Sequence, residues 1–251
     1  MSRLFNLFVL GLTTVGILCS SLSLQAEEKA KRYYLIGNSL TWDTAPALLA
    51  GDVQWHVDCG KSLPYIHEHP EQPCVKTSTL WPTALKDKQY DLISVQPHYG
   101  STLAEDVATI SQWIEMQPKA TFIIHTGWAR SATREDEYQS QDISGKLQHS
   151  PAYIKALLAA LQKKYPERKF KQTHAIDLLE QVDADIKSGK ATFDQIADIY
   201  RDAIHMKLDS GRYLMHNAMR HAMDQPRSDK GYEKLDPKTK QYLNQVLDTL
   251  N

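Results

Sequence analysis

The chain has 251 residues, with 29 lysines and arginines against 30 acidic residues and a net charge of −1. Nothing in that balance points to a nucleic-acid partner. The length suits one substantial domain once an N-terminal leader is set aside.

Residues 1–26 differ from the rest. Arg3 precedes an apolar stretch from Leu4 to Leu18, broken only by Asn6, glycine and threonine, and a small polar "CSSLSLQA" follows. This is the layout of a secretory signal peptide. Cleavage after Ala26 leaves a mature domain, 27–251, opening "EEKAKRYYLIG", although Leu24 is larger than the residue usual three before a cut. The apolar run is short against the roughly 20 residues a bilayer span needs, and Leu18 before Cys19 does not suit lipidation. The sequence therefore predicts export to the periplasm or medium, with no stable membrane insertion after cleavage. Cys59 and Cys74 remain in the mature chain, and an oxidising compartment favours a disulfide between them over two unpaired thiols. Such a loop is worth roughly 3 kcal/mol.

In chain order, "RYYLIG" (32–37), "DLISVQ" (91–96) and "ATFIIHTGW" (120–128) are short, apolar and rich in β-branched or aromatic residues, so they read as buried parallel strands. "VQWHVDC" (53–59) and "FKQTHAID" (170–177) are more polar and belong nearer the sheet edges. Helical patterns lie between them: "PALLAGD", "STLWPTALKD", "STLAEDVATISQWIEMQ" with Ser101 and Glu105 at its start, "SPAYIKALLAALQKKYP" with Ser150 before Pro151, and "LLEQVDADIKSG". Residues 129–149 are polar and aperiodic and read as a surface excursion. "SGRYLMHNAMRHAM" reads as a closing amphipathic helix, and Asp236-Pro237 can start a last one.

Alternating strands and helices imply a parallel sheet covered on both faces, with the ligand crevice outside the carboxyl ends of the strands. Ser39, Gln96 to His98 and His125 to Trp128 then share one rim. A serine hydroxyl needs a histidine to take its proton and a carboxylate to orient that histidine. Asp202 and His205, three apart in "YRDAIHMKLDSGRYL", can point the same way in a helical turn or compact loop.

"LIGNSLTWD" and "DAIHMKLDSGRYL" together resemble the first and last conserved segments of the SGNH, or GDSL, hydrolases, over roughly residues 32–225. The resemblance implies a flavodoxin-like three-layer α/β/α sandwich and ester hydrolysis through an acyl-serine, with no cofactor. It makes Ser39 the nucleophile, His205 the general base and Asp202 its orienting carboxylate. Asn38 stands where the family often has aspartate. The Ser39 and Gly60 N–H groups would be oxyanion donors. The family's Gly-x-Asn-Asp segment is absent, replaced by "VQPHYG". Either Gln96, whose amide donates at any pH, or His98, where counting puts the asparagine, is left to fill that role. Asn38, Trp42, His125 and Trp128 are candidates to line the substrate pocket.

His67, His69 and Cys74 lie close in sequence, but their spacing matches no structural zinc pattern, and no metal is expected. Arg212 reads as a solvated charge, and Tyr213 and Leu214 as packing residues. The expected substrate class is an acyl or acetyl ester of a carbohydrate; the alternative is a binding module that keeps the fold and has lost its chemistry.

Overall fold

The computed structural model describes residues 30–250; the expected leader, 1–26, lies outside them. Five strands, β1 (Arg32–Gly37), β2 (Asp52–Val57), β3 (Leu92–Val95), β4 (Thr121–Ile124) and β5 (Phe170–Gln172), form one sheet in the order β2-β1-β3-β4-β5. Every pairing is parallel. This is the flavodoxin-like doubly wound order. The two polar strands are indeed its edges.

The helices are α1 (Ser39–Asp43), α2 (Leu63–Glu68), α3 (Trp81–Asp87), α4 (Leu103–Met116), α5 (Arg134–Gln139), α6 (Pro151–Lys164), α7 (Ala175–Lys187), α8 (Ser210–Ala222) and α9 (Pro237–Asp248), with 3-10 turns at Pro46–Leu48 and Ile196–Ile199. Alternate strand residues go to opposite faces. Tyr34, Ile36, Ile93, Val95, Phe122 and Ile124 join the larger core with α2, α3, α4 and α6, while Tyr33, Leu35, Leu92 and Ile123 meet Met219, Ala222 and Met223 of α8 and the turn after it. Among the described residues no helix is long and apolar enough to cross a membrane. Cys59 and Cys74 are disulfide-bonded, as expected, tying the loop after β2 to the chain before α3.

Several sequence expectations shift in detail. "PALLAGD" is only a 3-10 turn, because Ala45 adopts φ 51° before Pro46 and Leu49 returns to extended backbone. The helix on this side of β1 starts at Ser39 instead, capped by Asn38. Thr102, not Ser101, caps α4, forming a capping box with Glu105. Ser101 turns inward to hydrogen-bond Asp106 at 2.9 Å. The excursion at 129–149 is not simply surface: it contains α5, and Glu137, Tyr138, Gln148 and His149 are buried. Arg134 anchors it, paired with Asp183 of α7 at 2.8 Å. "FKQTHAID" supplies a strand of only three residues before α7 begins at Ala175.

Candidate active site

The rim begins where β1 ends. A Cβ on Gly37 would stand 2.2 Å from Thr41 Oγ1 and 2.8 Å from Gln96 Cβ, so only glycine lets β1 turn this tightly beside β3. The next residue, Asn38, is buried; its Oδ1 accepts from Leu40 N at 3.0 Å, and its Nδ2 donates to the Lys61 carbonyl at 3.3 Å. Asn38 is thus an N-cap and a tie to the Gly60 loop, not a group lining a pocket. Gln96 Oε1 takes three donors: Asn38 N at 3.2 Å, Thr41 N at 3.1 Å and Thr41 Oγ1 at 3.0 Å. The N–H groups of residues 38, 40 and 41 are therefore all engaged. That of Ser39 has no partner among the described residues, and it points from the first turn of α1.

Ser39 Oγ lies 2.9 Å from His205 Nε2, and His205 Nδ1 lies 2.9 and 3.0 Å from the two oxygens of Asp202. Nδ1 then carries the proton, which leaves Nε2 to accept from Ser39. The loop that holds this pair is closed by an antiparallel bridge between Tyr200 and Met206 and by Arg201 N donating to the His205 carbonyl at 2.9 Å. Asp202 Oδ1 also accepts from Ile204 N at 3.0 Å and His205 N at 2.8 Å. Burial alone would raise the Asp202 pKa, but these backbone bonds and the His205 ring together outweigh it and bring it down to about 2.

A second layer fixes this loop to α1, and sequence reading missed it. Asp43, the last residue of α1, is fully buried. It accepts from Arg201 Nη1 at 2.9 Å, from Arg212 Nε and Nη2 at 2.9 and 2.7 Å, and from Met206 N at 2.8 Å. Arg212 is therefore not a solvated charge: it closes an ion-paired clamp between the helix of Ser39, the loop of His205 and α8. Asp43 falls four residues after Ser39 and Arg201 abuts Asp202, the one local hint that these charges belong to the site. Trp128, expected to line a pocket, is buried and donates from Nε1 to the Ile204 carbonyl at 2.6 Å, supporting the loop from beneath.

The remaining pocket expectations resolve differently. His125 is buried with Nδ1 2.9 Å from Thr173 Oγ1, and its burial lowers its pKa to about 4. It serves the join of β4 to β5. Trp42 is half-buried and packs edge-on against Trp55 with centroids 5.8 Å apart. Gly60 is exposed at φ 70°, with nothing within 4 Å of where a Cβ would be, so its backbone fronts open space.

Gln96 turns its amide oxygen, not its nitrogen, to the turn that carries Ser39. Two backbone N–H groups fix which end of it is oxygen, and its Nε2 donates to the Pro97 carbonyl at 3.2 Å. His98 places Nδ1 3.0 Å from His149 Nε2. Burial lowers the His98 pKa to about 4, with the positive charges of Arg130 and His205 acting in the same direction. His67 stacks on the Trp81 indole, with centroids 4.6 Å apart, and Cys74 is bound in the disulfide.

No family model matches this sequence, and no curated protein matches it significantly. Solved structures do align with it. A DUF4886 family protein from Bacteroides uniformis is 17% identical, with 86% of this chain and 92% of that one covered at a TM-score of 0.49. A putative GDSL-like lipase from Parabacteroides merdae is 14% identical over 78% of this chain and 96% of the other, with a TM-score of 0.48. A carbohydrate esterase family 3 protein from Talaromyces cellulolyticus is 11% identical over 78% and 100%, with a TM-score of 0.44. The chain has the strand order of a flavodoxin-like α/β/α sandwich, with Ser39, Asp202 and His205 brought together at the rim where β1 ends.

Proposed function

We propose that this chain is an exported serine hydrolase that cleaves carboxylic esters through an acyl-serine on Ser39. The observation that carries the reading is the continuous hydrogen-bonded line from Ser39 Oγ through His205 to Asp202, with both contacts at 2.9 Å. In the reaction, Ser39 Oγ attacks the ester carbonyl carbon while His205 Nε2 takes its proton. Asp202 holds the imidazolium so formed. The negative charge that develops on the carbonyl oxygen is met by the free Ser39 N–H, with the Gly60 N–H as second donor. Collapse expels the alcohol, which recovers the proton from His205 and leaves the acyl group on Ser39. A water then attacks the acyl carbon as His205 Nε2 takes one of its protons, and His205 passes that proton to Ser39 Oγ as the acid leaves.

An acylated or acetylated carbohydrate is the substrate class that best suits this open, polar rim, where Asp202 is half exposed. Export is supported by the leader pattern at 1–26 and by the disulfide. The mature protein should hydrolyse short-chain aryl esters, and Ser39→Ala should not; full activity in that variant sinks the assignment. One observation favours a second reading, a binding module without turnover: Gln96 Nε2 is drawn to the Pro97 carbonyl and His98 Nδ1 to His149, so neither directly replaces the absent asparagine. A fluorophosphonate probe separates the two, since only an activated Ser39 becomes labelled.

A further inference from the structure

His98 stands where an oxyanion donor is expected, yet its surroundings fix the opposite polarity. His149 Nδ1 lies 3.2 Å from the Thr126 carbonyl oxygen, which can only accept, so the neutral ring carries its proton on Nδ1 and leaves Nε2 bare. His149 is neutral because full burial holds its pKa well below the ordinary value, and any positive charge on His98 or His125 would press it lower still. A bare His149 Nε2, 3.0 Å from His98 Nδ1, requires the proton on His98 Nδ1. His98 Nε2 is then a lone pair.

The pair is firmly seated. Glu137 Oε1 accepts from His149 N at 3.1 Å, and Gly127, at φ 60°, leaves room that a Cβ would take within 2.6 Å of the His149 ring. His98 Nε2 has no partner among the described residues and is not wholly enclosed, on a residue that is 8% exposed. It lies near the base, within range of the His205 charge, on the segment leaving β3, the strand paired with β1.

We propose that His98 Nε2 accepts a hydrogen bond from the substrate, and that the ester this site takes carries a free hydroxyl beside the scissile group, as on a partly acylated sugar or polyol. This rests on Ser39 being the acyl acceptor. A lone pair repels an oxyanion and binds O–H or N–H. Because His98 follows Gln96, whose side chain holds the turn that carries Ser39, the donor it meets belongs to the part of the substrate near the ester.

Three measurements on the full mature chain test it. Nitrogen-15 NMR of its histidine rings at neutral pH should find His98 protonated on Nδ1 and bare on Nε2; a proton on Nε2 overturns the proposal. A methyl glycoside carrying one acetyl group and a neighbouring free hydroxyl should exceed its deoxy counterpart in kcat/KM by about tenfold, the size of one neutral hydrogen bond. In His98→Phe that preference should fall to about one. A ratio near one in the native protein, or an unchanged preference in the variant, also overturns it, and the native ratio decides alone should the variant not fold. Fluorophosphonate labelling of Ser39 needs no hydroxyl on the substrate. Labelling without the preference refutes the role of His98 alone, whereas absence of labelling refutes the acyl-serine reading and this inference with it.

Discussion

The loop bearing Asp202 and His205 and the segment bearing Gln96 and His98 flank the same serine, but they spend their polar atoms differently. The first is held by charge: its backbone and Arg201 are tied to the buried Asp43, and Asp202 and His205 turn outward toward Ser39. The second is held by neutral bonds that consume its own side chains, with Gln96 turned back on the nucleophile's turn and His98 backed by His149. In the proposed reaction one presents the proton-handling groups, and the other sets where the turn and the substrate sit.

Substitutions on the charged loop should hit the chemistry hardest. His205→Ala should lower kcat/KM for an aryl ester at least about a thousandfold, with Asp202→Asn close behind because it favours the wrong tautomer. Thermal stability should change little, since both side chains are partly exposed. If Asp202→Asn keeps near-native turnover, the loop is not the base-bearing region and the contrast fails.

Acid should separate the two regions by pH. His98 and His125 have folded-state pKa values near 4, below the ordinary 6.5, because burial disfavours their charged forms. The unfolded chain thus binds protons that the folded one refuses, and the stability these residues contribute is complete above 6.5 and lost as pH falls from 6.5 toward 4. Each costs at most about 1.4 kcal/mol per pH unit in that window. Asp106, raised by burial to about 6, works in the other direction, gaining stability as pH falls from 6 to 3.8, and offsets about one of them. Asp202, at about 2, begins to lose its contribution only below 3.8. Melting temperature should therefore fall between pH 6.5 and 4, and His98→Gln should flatten that slope by about one proton. A flat profile across the window would mean these rings are not held neutral.

The clamp itself can be broken at Asp43. Asp43→Asn keeps the shape but leaves Arg201 and Arg212 without their anion, and removing one partner of a buried pair costs about 3 kcal/mol or more. Urea unfolding should show that loss together with slower labelling of Ser39, because the base's loop is freed from α1. A loss under about 1 kcal/mol would show that the loop is fixed by other contacts.

The fold was readable because buried parallel strands are continuous apolar runs, and "RYYLIG", "DLISVQ" and "ATFIIHTGW" carry that signal locally. Ser39, Asp202 and His205 were readable because each lies in a short segment of characteristic spacing. The clamp was not: Asp43 pairs with arginines 158 and 169 positions away, and nothing near any of them records the distance. The same holds for His98 and His149, 51 apart. Which way Gln96 points is decided by two N–H groups on another strand's turn, which its own segment does not record. The start of α1 at Ser39 was within reach, since asparagine is among the preferred N-caps, but five residues carry too little periodicity to announce a helix.

Gln96 gives the finest test of the contrast, because two substitutions discriminate between holding the turn and donating to an oxyanion. Gln96→Leu orphans the Asn38 and Thr41 N–H groups in a buried site and should cost about 2 to 3 kcal/mol. Gln96→Glu is the sharper change. Burial favours the protonated acid there, whose carbonyl oxygen can receive the same donors while its hydroxyl donates to the Pro97 carbonyl as the amide does now. If Gln96 holds the turn, Gln96→Glu should keep most of the native melting temperature near pH 5 and retain turnover within about tenfold. If its amide were an oxyanion donor, turnover should instead fall by a hundredfold or more at unchanged stability, on the order of what losing one such donor costs. The two roles thus agree on the stability of Gln96→Glu and differ in its rate, so turnover measured where the variant is folded tells them apart.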